Sequence, residues 1–183
     1  MLWAAATLCF FGFFRSGEIT VPSQNLFDPS KHLAWGDIAV DDRSSPSMLK
    51  VHLKRSKCDQ LGKGVDVFVG RANDLLCPVA STLQYMARRG ASAGPFFVRE
   101  NGMPLTKSYF VSSVREALMA VGLPYQHFAG HSFRIGAATA AAKAGLEDST
   151  IRALGRWNSA AFLTYIQTPR QQLAQFSLTL AQS

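Results

Sequence analysis

The sequence predicts a mainly α-helical domain with a small antiparallel β-sheet, an α+β architecture. Three observations support this prediction. Most of the chain places apolar residues at helical spacing between capping residues and glycines, whereas residues 48–69 alternate apolar and polar side chains as strands do. The length of 183 residues, with 48% hydrophobic and 17% charged residues and no repeat, suits one packed core and excludes disordered, collagen-like and coiled-coil chains. We therefore expect a single domain over residues 1–183.

The first element is an apolar helix over residues 2–14, rich in Ala and Phe and ending just before Arg15. It is shorter than the ~18 residues that a membrane-spanning helix needs, and no basic residue precedes it as in a signal sequence. We interpret it as a buried helix. Residues 21–47 are rich in Pro, Ser and Asp, which predicts loops and short extended pieces with Leu33 and Ile38 buried.

Residues 48–69 predict a β-hairpin with one apolar face and one basic face. The alternating side chains are, on one side, Leu49, Val51, Leu53, Val65, Val67 and Val69, and on the other, Lys50, His52 and Lys54. Gly62 and Gly64 mark the turn.

Capping residues and glycine stops predict the remaining elements. The expected helices run from Asn73 or Asp74 to Gly90, from Thr106 to Ala120 with Gly122 as the stop, from His131 to Gly145, from Glu147 or Asp148 to Leu154, from Asn158 or Ser159 to Tyr165, and from Pro169 to Leu180. Residues 94–98, GPFFV, predict a short strand.

Charge and cysteine usage narrow the possible partners. The net charge of +7 and the pI near 9.7 suit a polyanion, either nucleic acid or an acidic membrane. Cys9, Cys58 and Cys77 form no CxxC pair and have no adjacent His, so we expect neither a zinc site nor a disulfide framework.

Candidate catalytic residues occur in a distinctive order along the chain. His131 and Arg134, in HSFR, lie one helical turn apart and could grip one anion together, although this pair alone is a weak signal. The complete order is RSGE at 15–18, KRSK at 54–57, HSFR at 131–134, LGRW at 154–157 and then Tyr165.

This order resembles the catalytic domain of the tyrosine recombinases, the phage-integrase-like family, over nearly the whole chain. The segments FFGFFRSGE, LCPV, GHSFRIGAAT and LGRWNSAAFLTYI are especially similar to the recombinases of DIRS-type retrotransposons. The resemblance implies the catalytic-domain fold of that family, strand breakage and rejoining on double-stranded DNA, and a homo-oligomer, a tetramer on paired DNA sites. Together with the unpaired cysteines, it implies an intracellular enzyme, nuclear in a eukaryotic cell. Such an enzyme needs no metal and no cofactor, and its partner is DNA rather than a membrane or a small-molecule substrate.

The chemistry of such a site agrees with the resemblance. Cleaving a phosphodiester without a metal requires positive groups on two non-bridging oxygens, and the planar guanidinium groups of Arg15 and Arg134 suit them. Tyr165 can attack phosphorus and hold the phosphoryl group in a recoverable ester. His131 is the candidate base or proton relay, because imidazole exchanges protons near neutral pH.

The remaining roles follow from the resemblance. Lys57 on the hairpin would protonate the leaving 5′ oxygen, although strict strand alternation places Lys54 on the basic face, so Lys54 stays an alternative. Trp157 could donate its N–H to a phosphate oxygen and exclude water, or could simply pack in the core. Glu18 would hold Arg15 or a neighbouring helix rather than contact substrate.

The basic residues of the hairpin and the C-terminal segment each allow two interpretations. Lys50, Lys54 and Arg55 could neutralise backbone phosphates or form an ordinary solvated face. The segment 170–180 could pack on a neighbouring protomer or on its own domain.

Two features depart from the family pattern, and other functions remain as alternatives. Trp157 and Tyr165 are eight positions apart, one fewer than in many integrases, with Tyr109 and Tyr125 as the fallback nucleophiles. Fourteen residues precede Arg15, so the resemblance implies an N-terminally truncated enzyme without the core-binding domain. An inactive DNA-binding or assembly module, or a relaxing topoisomerase, are the alternative functions.

Overall fold

The structure, a computed structural model, describes residues 1–54 and 64–166. Within these ranges it contains six α-helices, a three-stranded sheet and two 3₁₀ helices, which confirms the mainly helical α+β prediction. In chain order the elements are α1 (Leu2–Phe11), α2 (Ser16–Ile19), the 3₁₀ turn Trp35–Asp37, β1 (Ile38–Val40), β2 (Met48–Leu53), β3 (Val65–Gly70), α3 (Pro78–Arg89), α4 (Lys107–Ala120), α5 (Ser132–Lys143), α6 (Asp148–Gly155) and the 3₁₀ helix Ala160–Tyr165.

The sheet has the order β1-β2-β3, and both pairs of strands are antiparallel. Val51 of β2 lies opposite Ile38 on one side and Val67 on the other, so the alternating apolar residues form one buried face. The predicted strands of the hairpin are confirmed. The predicted burial of Leu33 and Ile38 is also confirmed.

Two groups of buried side chains hold the helices together. The larger group joins the apolar face of the sheet to α1, α3 and α4. The smaller group lies where the end of α1 meets α5, α6 and the last 3₁₀ helix, and it consists of Phe13, Ala137, Ala138, Ile151, Trp157 and Phe162. This smaller group forms the floor beneath the candidate site. No helix in the described ranges is both long and apolar enough to cross a membrane.

The first helix ends at Phe11, three residues earlier than expected. Phe13 has a φ of 52°, a left-handed conformation that is unfavourable for a bulky residue and that turns the chain sharply out of α1. The backbone N–H of Phe14 then donates to the carbonyl of Cys9 at 2.9 Å. This turn places Arg15 immediately before α2.

Two other local predictions are wrong. The helix expected from Asn73 or Asp74 begins at Pro78, where Cys77 caps it by accepting from the N–H of Ala80 at 3.3 Å. Residues 94–98 form isolated bridges rather than a strand, because their backbone pairs with separate loop residues, Ala34 and Pro104.

The helices that surround the site are confirmed. Thr106 caps α4 by accepting from the N–H of Tyr109 at 3.2 Å, and Gly145, with a φ of 80°, follows α5. Glu147 precedes α6 as expected. The predicted helix over 169–180 lies outside the described residues.

Candidate active site

Three of the predicted catalytic residues line one open cavity of about 490 Å³, together with the supporting residue Glu18. Arg15 precedes α2, His131 precedes α5, and Tyr165 ends the last 3₁₀ helix. They are brought together from positions as far as 150 residues apart. The other lining residues are Ser16, Gly17, Lys107, Gly130, Ile135 and Thr164.

Backbone contacts fix the relative positions of Arg15 and His131. The N–H of Ser16 donates to the carbonyl of Gly130 at 2.9 Å, which joins the start of α2 to the loop before α5. The hydroxyl of Ser132 accepts from the N–H of Ala129 at 2.9 Å and shapes that loop. Arg15 and His131 are the chain neighbours of Ser16 and Gly130, so the bond between Ser16 and Gly130 brings them to the same cavity.

Arg15 is held by Glu18 one turn later. Its Nη1 donates to Glu18 Oε1 at 2.9 Å, and its backbone N–H donates to Oε2 at 2.8 Å. Arg156 also donates to Glu18 Oε2, at 3.1 Å. The Arg15 side chain keeps 28% of its surface exposed while Glu18 keeps 8%, so the carboxylate is enclosed and the Arg15 cation stays accessible in the cavity.

Arg134 lies beneath the cavity and does not line it. The residue is fully buried, its Nη1 donates to the carbonyl of Phe13 at 3.0 Å, and its Nη2 donates to the carbonyl of Gly155. Burial, together with the positive charges of Arg15 and Arg156, lowers the pKa of Arg134 to about 10, against the opposing influence of Glu18 and Tyr165. The structure thus places Arg134 near the other site residues but directs its donors at backbone carbonyls.

Trp157 connects Arg134 to Tyr165. The Arg134 guanidinium carbon is 4.2 Å from the centroid of the Trp157 ring, and the ring of Tyr165 is centred 5.6 Å from the same indole. Trp157 is 8% exposed, and within the described residues its N–H has no hydrogen-bond acceptor. Thr139 donates to the carbonyl of Tyr165 at 3.2 Å, which ties the tyrosine to α5.

The hairpin lysines that the structure describes are bound to carboxylates. Lys50 forms an ion pair with Asp66 at 2.7 Å, and Lys54 binds the carboxylate of Asp37. Lys54 lines a smaller cleft on the other side of Glu18 rather than the cavity of Tyr165. Lys57 and Arg55 lie outside the described residues.

Two basic residues at this site, Lys107 and Arg156, were not predicted from the sequence. Lys107 lines the cavity, and Arg156 binds the carbonyls of Gly12 and Phe13 at 3.0 and 3.1 Å in addition to Glu18. Arg156 could have been predicted, because it lies within the LGRW motif. Lys107 belongs to none of the motifs, and only tertiary packing brings it to the cavity.

The fallback nucleophiles lie outside the cavity, and the described residues contain no metal-binding group of side chains. Tyr109 and Tyr125 do not line the cavity, and the Arg99 guanidinium lies 3.8 Å from the Tyr109 ring centroid. In residues 1–54 and 64–166, no three His, Cys, Asp or Glu side chains are grouped so that they could hold a metal ion.

The architecture matches that of site-specific recombinases whose structures are known. No protein-family model and no curated protein sequence matches the chain. Over 96% of its length, however, the chain superimposes on XerH recombinase bound to palindromic difH substrate in a post-cleavage complex, with a TM-score of 0.65 and 13% identity. The chain therefore has the tyrosine recombinase catalytic-domain fold.

Two further structures share this fold. XerA recombinase matches 97% of the chain with a TM-score of 0.63 and 16% identity. The Tn1549 transposon integrase in complex with circular intermediate DNA matches 95% of the chain with a TM-score of 0.51 and 13% identity. The chain spans about half of these proteins, covering 44% of XerH and 56% each of XerA and the integrase.

Proposed function

We propose that this chain breaks and rejoins DNA strands through a covalent bond to Tyr165. The observation that carries the proposal is that Arg15, His131 and Tyr165 line one cavity in a domain with the tyrosine recombinase fold. Its partner is double-stranded DNA, in keeping with the net charge of +7 and with the DNA-bound complexes of XerH and the Tn1549 integrase.

In the proposed reaction the Tyr165 phenol oxygen attacks the scissile phosphorus. A bond forms between phosphorus and Tyr165, and the bond from phosphorus to the 5′ oxygen breaks. His131 accepts the phenol proton, and Lys57 donates a proton to the leaving 5′ oxygen, so that a 3′-phosphotyrosyl link and a 5′ hydroxyl remain. Attack by the 5′ hydroxyl of another strand reverses these steps and rejoins the DNA without an external energy source.

Arg15 and Arg134 supply the positive charge for this reaction in different ways. Arg15 is exposed in the cavity and can donate directly to a non-bridging oxygen. Arg134 is fully buried and does not line the cavity, so it must become accessible from the cavity before it can clamp the phosphate as proposed. In its present position its charge still favours the negative phosphate, because it is buried and not screened by water.

Three finer assignments complete the proposal. Trp157 closes the floor of the site, and its N–H can donate a hydrogen bond to a phosphate oxygen. The similarity of the motifs to those of DIRS-type recombinases supports a role in site-specific recombination or in the integration of a mobile element. Joining two DNA molecules needs more than one copy of the chain, as in a tetramer on paired sites.

One observation favours a second candidate, a DNA-binding or assembly module without catalytic activity. Both terminal nitrogens of Arg134 are occupied by backbone carbonyls, an arrangement that also suits a purely structural arginine.

Nicked duplexes distinguish the two candidates. The substrate is a pool of duplexes of random sequence, each with a nick close to the cleavage position. Cleavage releases the short fragment that carries the 5′ hydroxyl, so the strand cannot be rejoined and the covalent protein–DNA product accumulates. A denaturing gel then detects this product. We expect an adduct with the unaltered chain and with Tyr109→Phe, whose hydroxyl lies outside the cavity, and none with Tyr165→Phe. An adduct that persists in Tyr165→Phe contradicts the assignment of Tyr165 as the nucleophile. DNA binding by the unaltered chain without any adduct supports the non-catalytic module.

A further inference from the structure

Lys107 is a basic residue in the cavity that the proposed reaction does not use. It is the first residue of α4, and backbone contacts fix its position. The N–H of Lys107 donates to the carbonyl of Val21 at 3.1 Å, and the N–H of Val21 donates to the carbonyl of Leu105 at 3.0 Å. These bonds join the start of α4 to the chain just after α2, so that Lys107 lines the same cavity as Arg15.

The Lys107 side chain lies against Gly130, the residue before His131. A Cβ atom at Gly130 would be 2.9 Å from Lys107 Cε and 2.4 Å from Ser16 Oγ. The absence of a side chain at Gly130 therefore lets the lysine stem and the serine hydroxyl approach each other beside His131.

The charge at this wall of the cavity is not neutralised. Within the described part of the chain, Lys107 forms no ion pair, whereas Arg15 and Arg156 share Glu18. Ser16 is 1% exposed, and its Oγ has no hydrogen-bond partner among the described residues. A buried hydroxyl without a partner is uncommon, and here it lies on the same side of Gly130 as the carbon stem of Lys107.

We propose that Lys107 binds a phosphate of the DNA strand in the cavity, with Ser16 as an additional donor; this inference rests on the proposed function. The ammonium group is a compact charge with three donors and suits the exposed oxygens of a phosphodiester. The Ser16 hydroxyl is buried in the free chain and must become accessible when the strand binds. Lys107 thereby holds the strand beside Arg15 and His131, and no covalent step passes through it.

Salt dependence of DNA binding tests this contact without requiring cleavage. In the Tyr165→Phe background, binding of a duplex of about 30 base pairs is measured by fluorescence anisotropy from about 50 to about 200 mM KCl. We expect Lys107→Gln to reduce the slope of log K against log salt by ~0.9, the change for one lost phosphate contact, and Lys107→Arg to restore it. Arg43→Gln removes an equal charge from an exposed residue that does not line the cavity, so its slope should stay unchanged.

The outcomes separate this inference from the proposed function. An unchanged slope in Lys107→Gln, or an equal reduction in Arg43→Gln, overturns the Lys107 contact even if Tyr165 forms the adduct. A reduced slope specific to Lys107 supports the contact even if no adduct forms. The absence of any measurable duplex binding by the Tyr165→Phe chain overturns the contact as well.

Discussion

The guanidinium of Arg134 and the indole of Trp157 stack in the floor of the candidate site, with the guanidinium carbon 4.2 Å from the ring centroid. Tyr165 packs against the same indole. The proposed nucleophile and a buried cation are thus positioned by one aromatic side chain. A cation on an aromatic face contributes up to about 2 kcal/mol when water is excluded, so this stack also stabilises the junction of α5 and α6.

Gly155→Ala should disrupt this stack. A Cβ at Gly155 would lie 1.5 Å from a carbon of the Trp157 ring, and a rigid indole cannot avoid it by a small rotation. We expect a loss of about 1–3 kcal/mol in the free energy of unfolding, measured in urea, together with loss of the Tyr165 adduct.

Gly136→Ala in α5 is the matched control for that substitution. Its Cβ would meet only the Phe10 ring at 3.5 Å, and alanine is favoured in a helix by roughly 0.5–1 kcal/mol. Equal stability of the two alanine variants would contradict the packing described for Gly155.

Arg156 and Glu18 should be energetically coupled. Their side chains are 12% and 8% exposed. Removing Glu18 leaves the poorly solvated Arg156 without its carboxylate, and removing Arg156 leaves Glu18 with Arg15 as its remaining ion-pair partner. We expect Arg156→Gln to cost about 1–3 kcal/mol in unfolding free energy, and a double-mutant cycle with Glu18→Gln to give a coupling of about 1–3 kcal/mol.

The exposed pair Lys31 and Asp28 provides the comparison for this cycle. Their side chains are 50% and 33% exposed, and the corresponding coupling should be below about 1 kcal/mol. Coupling energies of similar size in the two pairs would show that the enclosure of Glu18 does not strengthen its interaction with Arg156.

His32 should make the protein less stable in mild acid. Burial lowers the pKa of His32 below its usual value, so the unfolded chain takes up the proton at a higher pH than the folded chain. Stability is therefore full above a pH of about 6.5 and decreases as the pH falls below it. Protonation would also remove the bond in which the N–H of Asp28 donates to His32 Nδ1 at 2.9 Å.

His32→Asn should reduce this pH dependence, because an asparagine oxygen can accept the same bond and does not titrate. The test compares the urea midpoints of the two proteins at pH values of about 7.5 and about 5. Parallel decreases in both proteins would assign the acid sensitivity to other groups.

The sequence predicted the elements whose signals are local. Thr106 could be recognised as a cap because its side chain bonds a backbone N–H three residues later. The hairpin could be recognised because Leu49 and Val51 face the core and Lys50 faces solvent, as strand alternation requires. The order of Arg15, His131 and Tyr165 predicted candidates that the structure places in one cavity.

The features that the sequence did not predict depend on long-range contacts. The three residues of β1 are too few to show alternation, and only pairing with β2 makes them a strand. The orientation of Arg134 depends on the carbonyls of Phe13 and Gly155, which no local pattern places beside it. Pro78, by contrast, was a local signal for the start of α3, because proline is favoured at the first position of a helix.

The left-handed turn at Phe13 bears on how the protein is made. The Phe13 carbonyl receives Arg134 and Arg156, which follow it by 121 and 143 positions. A ribosome adds about 5–20 residues per second, so α1 exists for on the order of 10 s before either arginine emerges. The candidate site can therefore be assembled only after both arginines have been synthesised, whereas α1 can already pack against the sheet and α3 before Arg134 emerges.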